Sequence, residues 1–298
     1  MPDIPRFYTA LAEWLACMIF ILPLKKRIDK RKMVLLMAGA LVVQSVFLVV
    51  TGNLMIYFWI PCMVIAVILM IGFIYGCCDV GSTDAIYFGM IAFVVAEFLA
   101  SIEWQVVCFI WKGQMPALWI RALLLIGIYG CIAFVLLKIM QTHLPKDGKM
   151  NISPKELFSA QLIAIAVFAV SNLSFLTSNT PFSGTYSFEI GNIRTLVDIG
   201  GIAILYAHLI QCGELRVKKE LEAVQNVLQN QYVQYKQSRE SIDLINYKYH
   251  DLKHQIAVLR SEEDPKKREE FLNRMEEEIR QYEAQNKTGN KVLDTVLT

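Results

Sequence analysis

The stretch AIYFGMIAFVVAEFLASIEWQVVCFI, residues 85–110, is apolar throughout except for Glu97, Glu103 and a few small or neutral polar residues. A run of about 20 mostly apolar residues is long enough to cross the hydrocarbon core of a bilayer as a helix. The composition of the whole chain points the same way, because 55% of its 298 residues are hydrophobic and only 19% are charged. We therefore predict an all-α protein that crosses a membrane several times.

Similar apolar runs lie on both sides of this stretch. They stop near residue 212, and residues 213–298 are rich in Glu, Lys, Arg and Gln. We predict a transmembrane domain over 1–212 and a polar tail over 213–298. The predicted bundle has about seven spans, at 7–24, 33–51, 54–76, 85–110, 117–140, 157–176 and 193–211.

Basic residues suggest an orientation for these spans. KKRIDKRK, residues 25–32, has six basic residues in eight, and the loop between spans five and six is marked by Lys138, Lys146, Lys149 and Lys155. Short loops rich in Lys and Arg stay on the cytoplasmic side. Seven crossings then place the amino terminus outside the cell and the tail in the cytoplasm. The outer loops are short, so an extracellular ligand would bind in or near the membrane.

Among the ionisable side chains within the predicted spans we single out five, each of which is costly unless it is paired or hydrated. We expect two of them to extend to the membrane–water interface by snorkelling. Two others are candidates for ligand contact or signal coupling. The alternative for these two is structural pairing between helices. The snorkelling pair is Glu13 and Arg121, the candidates are Glu97 and Asp198, and the fifth is Glu103. The seven cysteines lie in or beside apolar segments, and we expect small buried side chains rather than metal ligands.

The tail carries a seven-residue repeat. Its seam positions alternate steps of four and three through six heptads, which is typical of a parallel coiled coil of two chains. We predict this coil over 213–246, continuing directly from span seven. The seam consists of Val217, Leu221, Val224, Leu228, Gln231, Tyr235, Ser238, Ile242, Ile245, Tyr249, Leu252, Ile256 and Leu259.

A helical hairpin is predicted over 247–298. Residues 261–264 break the first helix, and Pro265 suits the first position of a second helix capped by Asp264 or Ser261. The second helix has apolar positions at spacings of three and four, which predicts packing against the first. Two hairpins in a dimer make a four-helix bundle. The apolar positions are Leu272, Met275, Ile279 and Tyr282.

The stretch YHDLKHQIAVLR, residues 249–260, contains the residues of the tail whose side chains could take part in a reaction. His250 follows the seam residue Tyr249 and so points away from the seam, and His254 lies one turn later on a neighbouring outward stripe. An exposed neutral imidazole next to a carboxylate, here Asp251, suits attack on the γ-phosphate of a nucleoside triphosphate.

Three other interpretations of these residues stay open. Histidines four residues apart can ligate zinc, but a catalytic zinc needs a third protein ligand and a cleft. The coil could serve oligomerisation alone, with incidental histidines. From another functional class, the chain could be a transporter or channel with a cytoplasmic coiled-coil assembly domain.

The order of membrane domain, coil, Tyr249-His250-Asp251, Lys253-His254-Gln255 and a closing TGNKVLDTVL, residues 288–297, resembles the Agr-type peptide-sensing histidine kinases, which carry GHKL ATPase domains. The resemblance implies a bacterial two-component sensor of the quorum-sensing type. It would be a homodimer in the cell membrane that senses an extracellular peptide or small amphipathic signal and passes phosphate to a cytoplasmic response regulator. It implies no nucleic-acid partner.

The same resemblance assigns roles to residues. His250 is the implied phosphoacceptor, Asp251 orients it or takes its proton, and Lys253 and His254 are secondary. The family's GN-x-x-LD segment maps onto Gly289, Asn290, Leu293 and Asp294. ATP and Mg²⁺ would bind to an ATPase domain that these 298 residues do not contain, so we expect this chain to be inactive alone, with no metal ligands of its own.

Overall fold

The computed structural model of the chain describes residues 4–52, 56–111, 116–144, 149–176, 187–261 and 264–285. Within these ranges the regular elements are α-helices, as predicted. They are α1 (Arg6–Ile21), α2 (Lys30–Thr51), α3 (Ile56–Cys77), α4 (Ser82–Trp111), α5 (Leu118–His143), α6 (Pro154–Leu176), α7 (Ser187–Ser261) and α8 (Pro265–Gln285).

Six helices of the described ranges, α2 to α7, are long and apolar enough to cross a membrane. The multi-pass character predicted from the sequence is therefore supported. The first predicted span, 7–24, instead forms α1, whose 16 residues extend about 24 Å at 1.5 Å per residue. This is shorter than the ~30 Å hydrocarbon core. The orientation, which depends on an odd number of crossings, stays a prediction.

Helices α1 and α4 form the centre of the apolar bundle. α1 contacts α2, α3, α4 and α5, and α4 also contacts α3, α5 and α6. Phe20 of α1 stacks on Phe88 of α4 with ring centroids 5.5 Å apart. In the most apolar segment of α4, 83% of the residues are buried, whereas the corresponding shares are 11% for α2 and 17% for α5. The stretch that suggested a membrane span is thus enclosed by protein, while α2 and α5 present their apolar sides outward.

The carboxyl end of α1 is closed by a lysine from the loop that follows it. Lys26 Nζ donates hydrogen bonds to the carbonyl oxygens of Leu24 at 2.6 Å, Leu22 at 2.9 Å and Ile21. The last carbonyls of a helix lack partners within the helix, and an ammonium group satisfies them favourably. Burial lowers the pKa of Lys26 below its usual value. One of the six basic residues of 25–32 therefore has a structural role.

Contacts divide the chain into two units, Met1–Leu221 and Glu222–Thr298. In the second unit α7 ends at Ser261 and α8 begins at Pro265, which confirms the predicted break. Asp264 Oδ1 accepts a hydrogen bond from the backbone N–H of Lys266 at 3.1 Å. Of the two caps considered, Asp264 is the one that caps α8.

Of the predicted apolar positions of α8, Met275 is half-buried in the single chain, whereas Leu272 and Ile279 are exposed. Phe271 and Met275 are the half-buried side chains in the described part of α8. Leu272 and Ile279, predicted to face α7, are 51% and 50% exposed in the single chain. The side chain of Tyr282 lies outside the described residues. Sequence spacing alone did not distinguish these adjacent faces, because 271/275 and 272/279 both follow helical periodicity.

Candidate functional site

A row of polar side chains on α4 is aligned with polar side chains on α7. Glu97, Ser101 and Gln105 recur every four residues and so lie on one face of α4. Glu97 forms an ion pair with Arg194. Ser101 Oγ donates a hydrogen bond to Asp198 Oδ2 at 3.2 Å. The two candidate residues of the spans are therefore parts of the same helix–helix contact.

Gln105 extends this contact by another turn of α4. Its Oε1 accepts a hydrogen bond from Thr195 Oγ1 at 2.6 Å, and its Nε2 donates to Asn192 Oδ1. Polar groups that pair across helices satisfy each other where lipid and water do not. We call the residues Glu97, Ser101, Gln105, Asn192, Arg194, Thr195 and Asp198 the α4–α7 polar contact.

Both carboxylates of this contact are shielded from solvent. Glu97 is 4% exposed and Asp198 is 0% exposed. Asp198 Oδ1 has no hydrogen-bond partner among the described residues. An ionised carboxylate in this setting is costly unless a cation is near it. Arg194 supplies that cation, so structural pairing, one of the two alternatives for Glu97, is present in the molecule.

Glu13 does not snorkel to an interface. It is 1% exposed, and its carboxylate accepts a hydrogen bond from Gln44 Nε2 of α2. The expectation from sequence was wrong because α1 is enclosed by other helices and a short glutamate cannot reach past them. Arg121, the other expected snorkelling residue, places its guanidinium carbon 5.3 Å from the ring centroid of Tyr8 and 6.0 Å from that of Trp104.

A histidine joins α7 to two other helices near the end of its apolar part. His208 Nδ1 lies 3.0 Å from the hydroxyl oxygen of Tyr87 on α4. Its Nε2 lies 2.6 Å from Ser159 Oγ on α6. A neutral imidazole has one donor and one acceptor nitrogen, so it can pair with both hydroxyls at once. Further along α7, Lys219 Nζ lies 4.0 Å from Glu156 Oε1 of α6. These contacts hold the last membrane turns of α7.

The loop before α6 is held by one carboxylate. Asp84 Oδ2 accepts hydrogen bonds from the backbone N–H groups of Met150 at 3.0 Å and Asn151 at 3.2 Å, and its Oδ1 accepts one from Ile152 at 3.0 Å. Asp84 is 2% exposed. Successive backbone N–H groups form an anion-binding concavity. Here a side chain of the protein itself fills it and joins the start of α4 to the loop before α6.

Replacing Asp84 with Ala is expected to lower the free energy of unfolding by about 2 kcal/mol, because the N–H groups of buried Met150 and Ile152, and that of exposed Asn151, lose a charged acceptor. The matched variant Asp84→Asn keeps an oxygen at the site and should lose less. The measurement is the midpoint of thermal unfolding in detergent micelles. Equal midpoints for Asp84→Ala and the wild type would contradict the structural role given to this carboxylate.

The histidines of the tail lie on the solvent side of α7. His250, Asp251, Lys253 and His254 are all exposed in the single chain. Asp251 Oδ2 accepts a hydrogen bond from Gln255 Nε2 at 3.4 Å. The carboxylate expected to orient the His250 ring thus contacts a residue one turn further on. The implied role of Asp251 remains a prediction that requires it to exchange this contact for the imidazole.

Gly289, Asn290, Leu293 and Asp294, which carry the GN-x-x-LD pattern, lie outside the described residues. Within the described ranges, no group of three or more His, Cys, Asp or Glu side chains is placed to hold a metal ion.

Sequence reasoning missed several residues of these contacts. Arg194, Gln105 and His208 were not selected, although Arg194 and His208 lie inside the predicted span 193–211. The available signal was the four-residue spacing of polar residues, at 97, 101 and 105 on α4 and at 194 and 198 on α7. A polar stripe within an apolar helix indicates a face that meets another polar stripe. No family model, curated protein or solved structure matches this chain.

Proposed function

We propose that this chain is the sensor, dimerisation and phosphoacceptor part of a bacterial membrane histidine kinase similar to the Agr-type peptide sensors. The observation that supports this best is α7. It is a single helix of 75 residues that begins with an apolar, membrane-compatible segment and ends in a polar segment bearing His250 as an exposed side chain. In this proposal α7 carries the signal from the membrane part of the chain to His250.

The proposed homodimer is supported by the exposed seam of the tail. In the single chain Val217 is 65% exposed, Ile245 is 63% exposed and Tyr249 is 70% exposed. Apolar side chains in a continuous exposed stripe mark an interaction surface, and a second identical helix would cover this one as a parallel coiled coil. The half-exposed Leu272 and Ile279 of α8 would then be covered in a four-helix bundle of two hairpins.

The proposed chemistry is phosphoryl transfer to nitrogen. A neutral His250 imidazole attacks the γ-phosphorus of ATP, a P–N bond forms, and the bond to the β–γ bridging oxygen breaks to release ADP. The proton of the other ring nitrogen passes to Asp251. Lys253 and His254, three and four residues further along the helix, have the secondary role of stabilising the phosphoryl charge. ATP and Mg²⁺ would be held by a GHKL-type ATPase domain, and the phosphoryl group would move on to an aspartate of a response regulator.

The proposed signal is an extracellular peptide or another small amphipathic molecule. In this proposal it binds the membrane bundle, whose amino terminus is outside the cell, and favours one packing of α7 over another. In this proposal the α4–α7 polar contact is the part of the bundle that the ligand acts on, because it joins α7 to α4 by an ion pair and hydrogen bonds. A ligand shifts such an equilibrium only by its difference in affinity for the two states.

The test is phosphate labelling in membranes. The chain is supplied with γ-labelled ATP, Mg²⁺ and the ATPase domain of a kinase of the resembled family, fused after residue 298. We expect label that is stable in alkali and labile in acid, as a phosphoramidate on nitrogen is. Label with the stability of a serine or threonine phosphate, or no label in a fusion whose ATPase domain binds ATP, would contradict the proposal.

Buried charges in the bundle favour a second candidate, a transporter or channel with a cytoplasmic assembly coil. Intramembrane carboxylates and an arginine also line substrate and ion pathways, and Glu97, Arg194 and Asp198 are residues of this type. Flux of an ion or solute through vesicles that contain the purified chain, lost in Asp198→Asn and without any labelling of His250, would favour this candidate over the kinase.

A further inference from the structure

The carboxylate of Asp198 is the centre of a group of oxygen atoms that three helices contribute. Asp198 lies on α7 and is fully buried. Ser101 of α4 is also buried and places its Oγ 3.2 Å from Asp198 Oδ2. Ser171 of α6 is buried too, and its hydroxyl lies beside the same carboxylate. All three residues belong to the first unit, Met1–Leu221.

These oxygen atoms have too few hydrogen-bond donors. Ser101 Oγ is within hydrogen-bonding distance of two acceptors, Asp198 Oδ2 at 3.2 Å and the carbonyl oxygen of Phe98 at 3.0 Å. A serine hydroxyl has one hydrogen, so it can donate to only one of them at a time. Neither Asp198 Oδ1 nor Ser171 Oγ has a partner in hydrogen-bond geometry among the described residues. Lone pairs of several oxygens therefore face each other where solvent does not reach.

The charges around Asp198 are also unbalanced. Glu97 and Asp198 carry two negative charges when both are ionised. Arg194 carries the one positive charge of the α4–α7 polar contact, and it forms its ion pair with Glu97. An ionised carboxylate within an apolar bundle is costly unless a positive charge compensates it. One further positive charge beside Asp198 would balance the group.

A monovalent cation suits this group better than a proton or a divalent cation. A proton on Asp198 Oδ1 would create an O–H donor that has no acceptor in hydrogen-bond geometry among the described residues, and a buried unpaired donor is costly. Ca²⁺ takes about six to eight oxygen ligands, and Mg²⁺ keeps several waters. This group has fewer oxygens and is closed to solvent, and its single free carboxylate balances a single positive charge.

We propose that Asp198, Ser101 and Ser171 bind Na⁺ between α4, α6 and α7. The carboxylate supplies the negative charge, while the two hydroxyl oxygens and the carbonyl oxygen of Phe98 supply neutral ligands. A cation interacts with lone pairs, so it satisfies oxygens that lack donors. This site revises the expectation that the chain has no metal ligands of its own. Because it has one carboxylate, it differs from sites built of three or more His, Cys, Asp or Glu side chains.

The bound ion joins three helices of the membrane bundle. Since α4, α6 and α7 each contribute a ligand, Na⁺ stabilises the packing in which these helices meet at Asp198, and it favours that packing over any that separates them. The inference depends on the contacts of the bundle and not on the proposed kinase function. Its failure would leave the phosphoacceptor proposal unchanged.

The test is equilibrium binding of radioactive Na⁺ to the purified full chain in detergent micelles, in choline chloride buffer. We expect saturable binding of about one Na⁺ per chain. Asp198→Asn removes the charge at nearly constant size and should lower the affinity by more than about a hundredfold. Glu103→Gln is the matched control and should bind Na⁺ as the wild type does. Glu103 is also fully buried, and both its carboxylate oxygens lack a hydrogen-bond partner among the described residues.

Thermal unfolding gives a second readout of the same site. An ion that binds only the folded chain stabilises it, so replacing choline with Na⁺ at equal ionic strength should raise the wild-type midpoint by about 3 °C. Asp198→Asn has no charge to balance. Its midpoint in choline chloride should equal or exceed that of the wild type and should not respond to Na⁺, which also shows that the variant is folded.

The neutral ligands are tested by removing one hydroxyl. Ser171→Ala should weaken Na⁺ binding about tenfold, because Ser171 Oγ is one of the few oxygens of the group. Ser45→Ala on α2 is the matched control and should leave binding unchanged. The hydroxyl of Ser45 is likewise shielded from solvent and without a hydrogen-bond partner among the described residues. If Asp198→Asn does not fold, the comparison of Ser171→Ala with Ser45→Ala decides the question.

Four results would overturn the site. Absence of saturable Na⁺ binding in the wild type would mean that a proton or water satisfies these oxygens. Wild-type binding in a folded Asp198→Asn variant would place the ion elsewhere. Equal losses in Ser171→Ala and Ser45→Ala would remove Ser171 as a ligand. We expect K⁺, which is larger, to compete with labelled Na⁺ at least about fivefold less well than unlabelled Na⁺. Equal competition would overturn the assignment to Na⁺.

Discussion

The variant His250→Gln is expected to incorporate less than about one hundredth of the wild-type label in the fusion with an ATPase domain. Glutamine keeps a polar side chain of similar size, but its amide nitrogen has no lone pair available for attack on phosphorus. His250 is exposed, so the substitution should disturb the helix little. The measurement is the initial rate of labelling, expressed as labelled phosphate per mole of chain.

The matched control for this experiment lies one turn along the same helix. His254→Gln makes the same chemical change at another exposed histidine, and we expect reduced but persistent labelling. If His250→Gln keeps wild-type labelling and His254→Gln loses it, the acceptor is His254. If both variants keep wild-type labelling, the phosphoacceptor proposal for this stretch is wrong.

The variant Arg194→Met is expected to lower the free energy of unfolding by about 4 kcal/mol. Methionine fills a similar volume but removes the cation, and the carboxylate of Glu97, which is 4% exposed, is left buried without its ion-pair partner. Breaking a buried pair by removing one member typically costs about 3–5 kcal/mol. The midpoint of thermal unfolding in detergent micelles measures the loss.

The double variant Arg194→Met/Glu97→Gln tests whether the pair is the cause. Removing both charges together avoids the uncompensated carboxylate, so the double variant should be more stable than Arg194→Met alone by about 1–2 kcal/mol. Exposed Arg274→Met in α8 is the control, because its partner Glu270 is also exposed and such pairs contribute little. Additive losses from Arg194→Met and Glu97→Gln would show that the two residues are not energetically coupled.

The helices of this protein could be predicted well from its sequence, since length and apolar composition are local properties. The predicted span 85–110 corresponds to α4 at Ser82–Trp111, and the predicted break before Pro265 is present. Helix packing could not be predicted in the same way. The importance of Arg194 depends on α7 lying beside α4, and hydropathy says nothing about which helices are neighbours.

The error at Glu13 and the unresolved choice of face in α8 have related physical causes. A glutamate in an apolar helix looks the same in the sequence whether its carboxylate reaches water or a polar side chain of another helix. The partner of Glu13 is Gln44 of α2, and this pairing depends on how α1 and α2 pack. In α8, Phe271 and Leu272 are adjacent apolar residues that can each begin a helical stripe. The choice between them depends on the hairpin geometry, which the spacing does not specify.

The shortness of α1 has a consequence for the choice of lipid. A helix that faces acyl chains must match their thickness or tilt, and α2, with 22 residues and little burial, is about 33 Å long. α1 touches α2, α3, α4 and α5, and Lys26 satisfies its terminal carbonyls. Hydrophobic mismatch in thin or thick bilayers should therefore strain the outer helices and leave the α1–α4 pair largely unaffected.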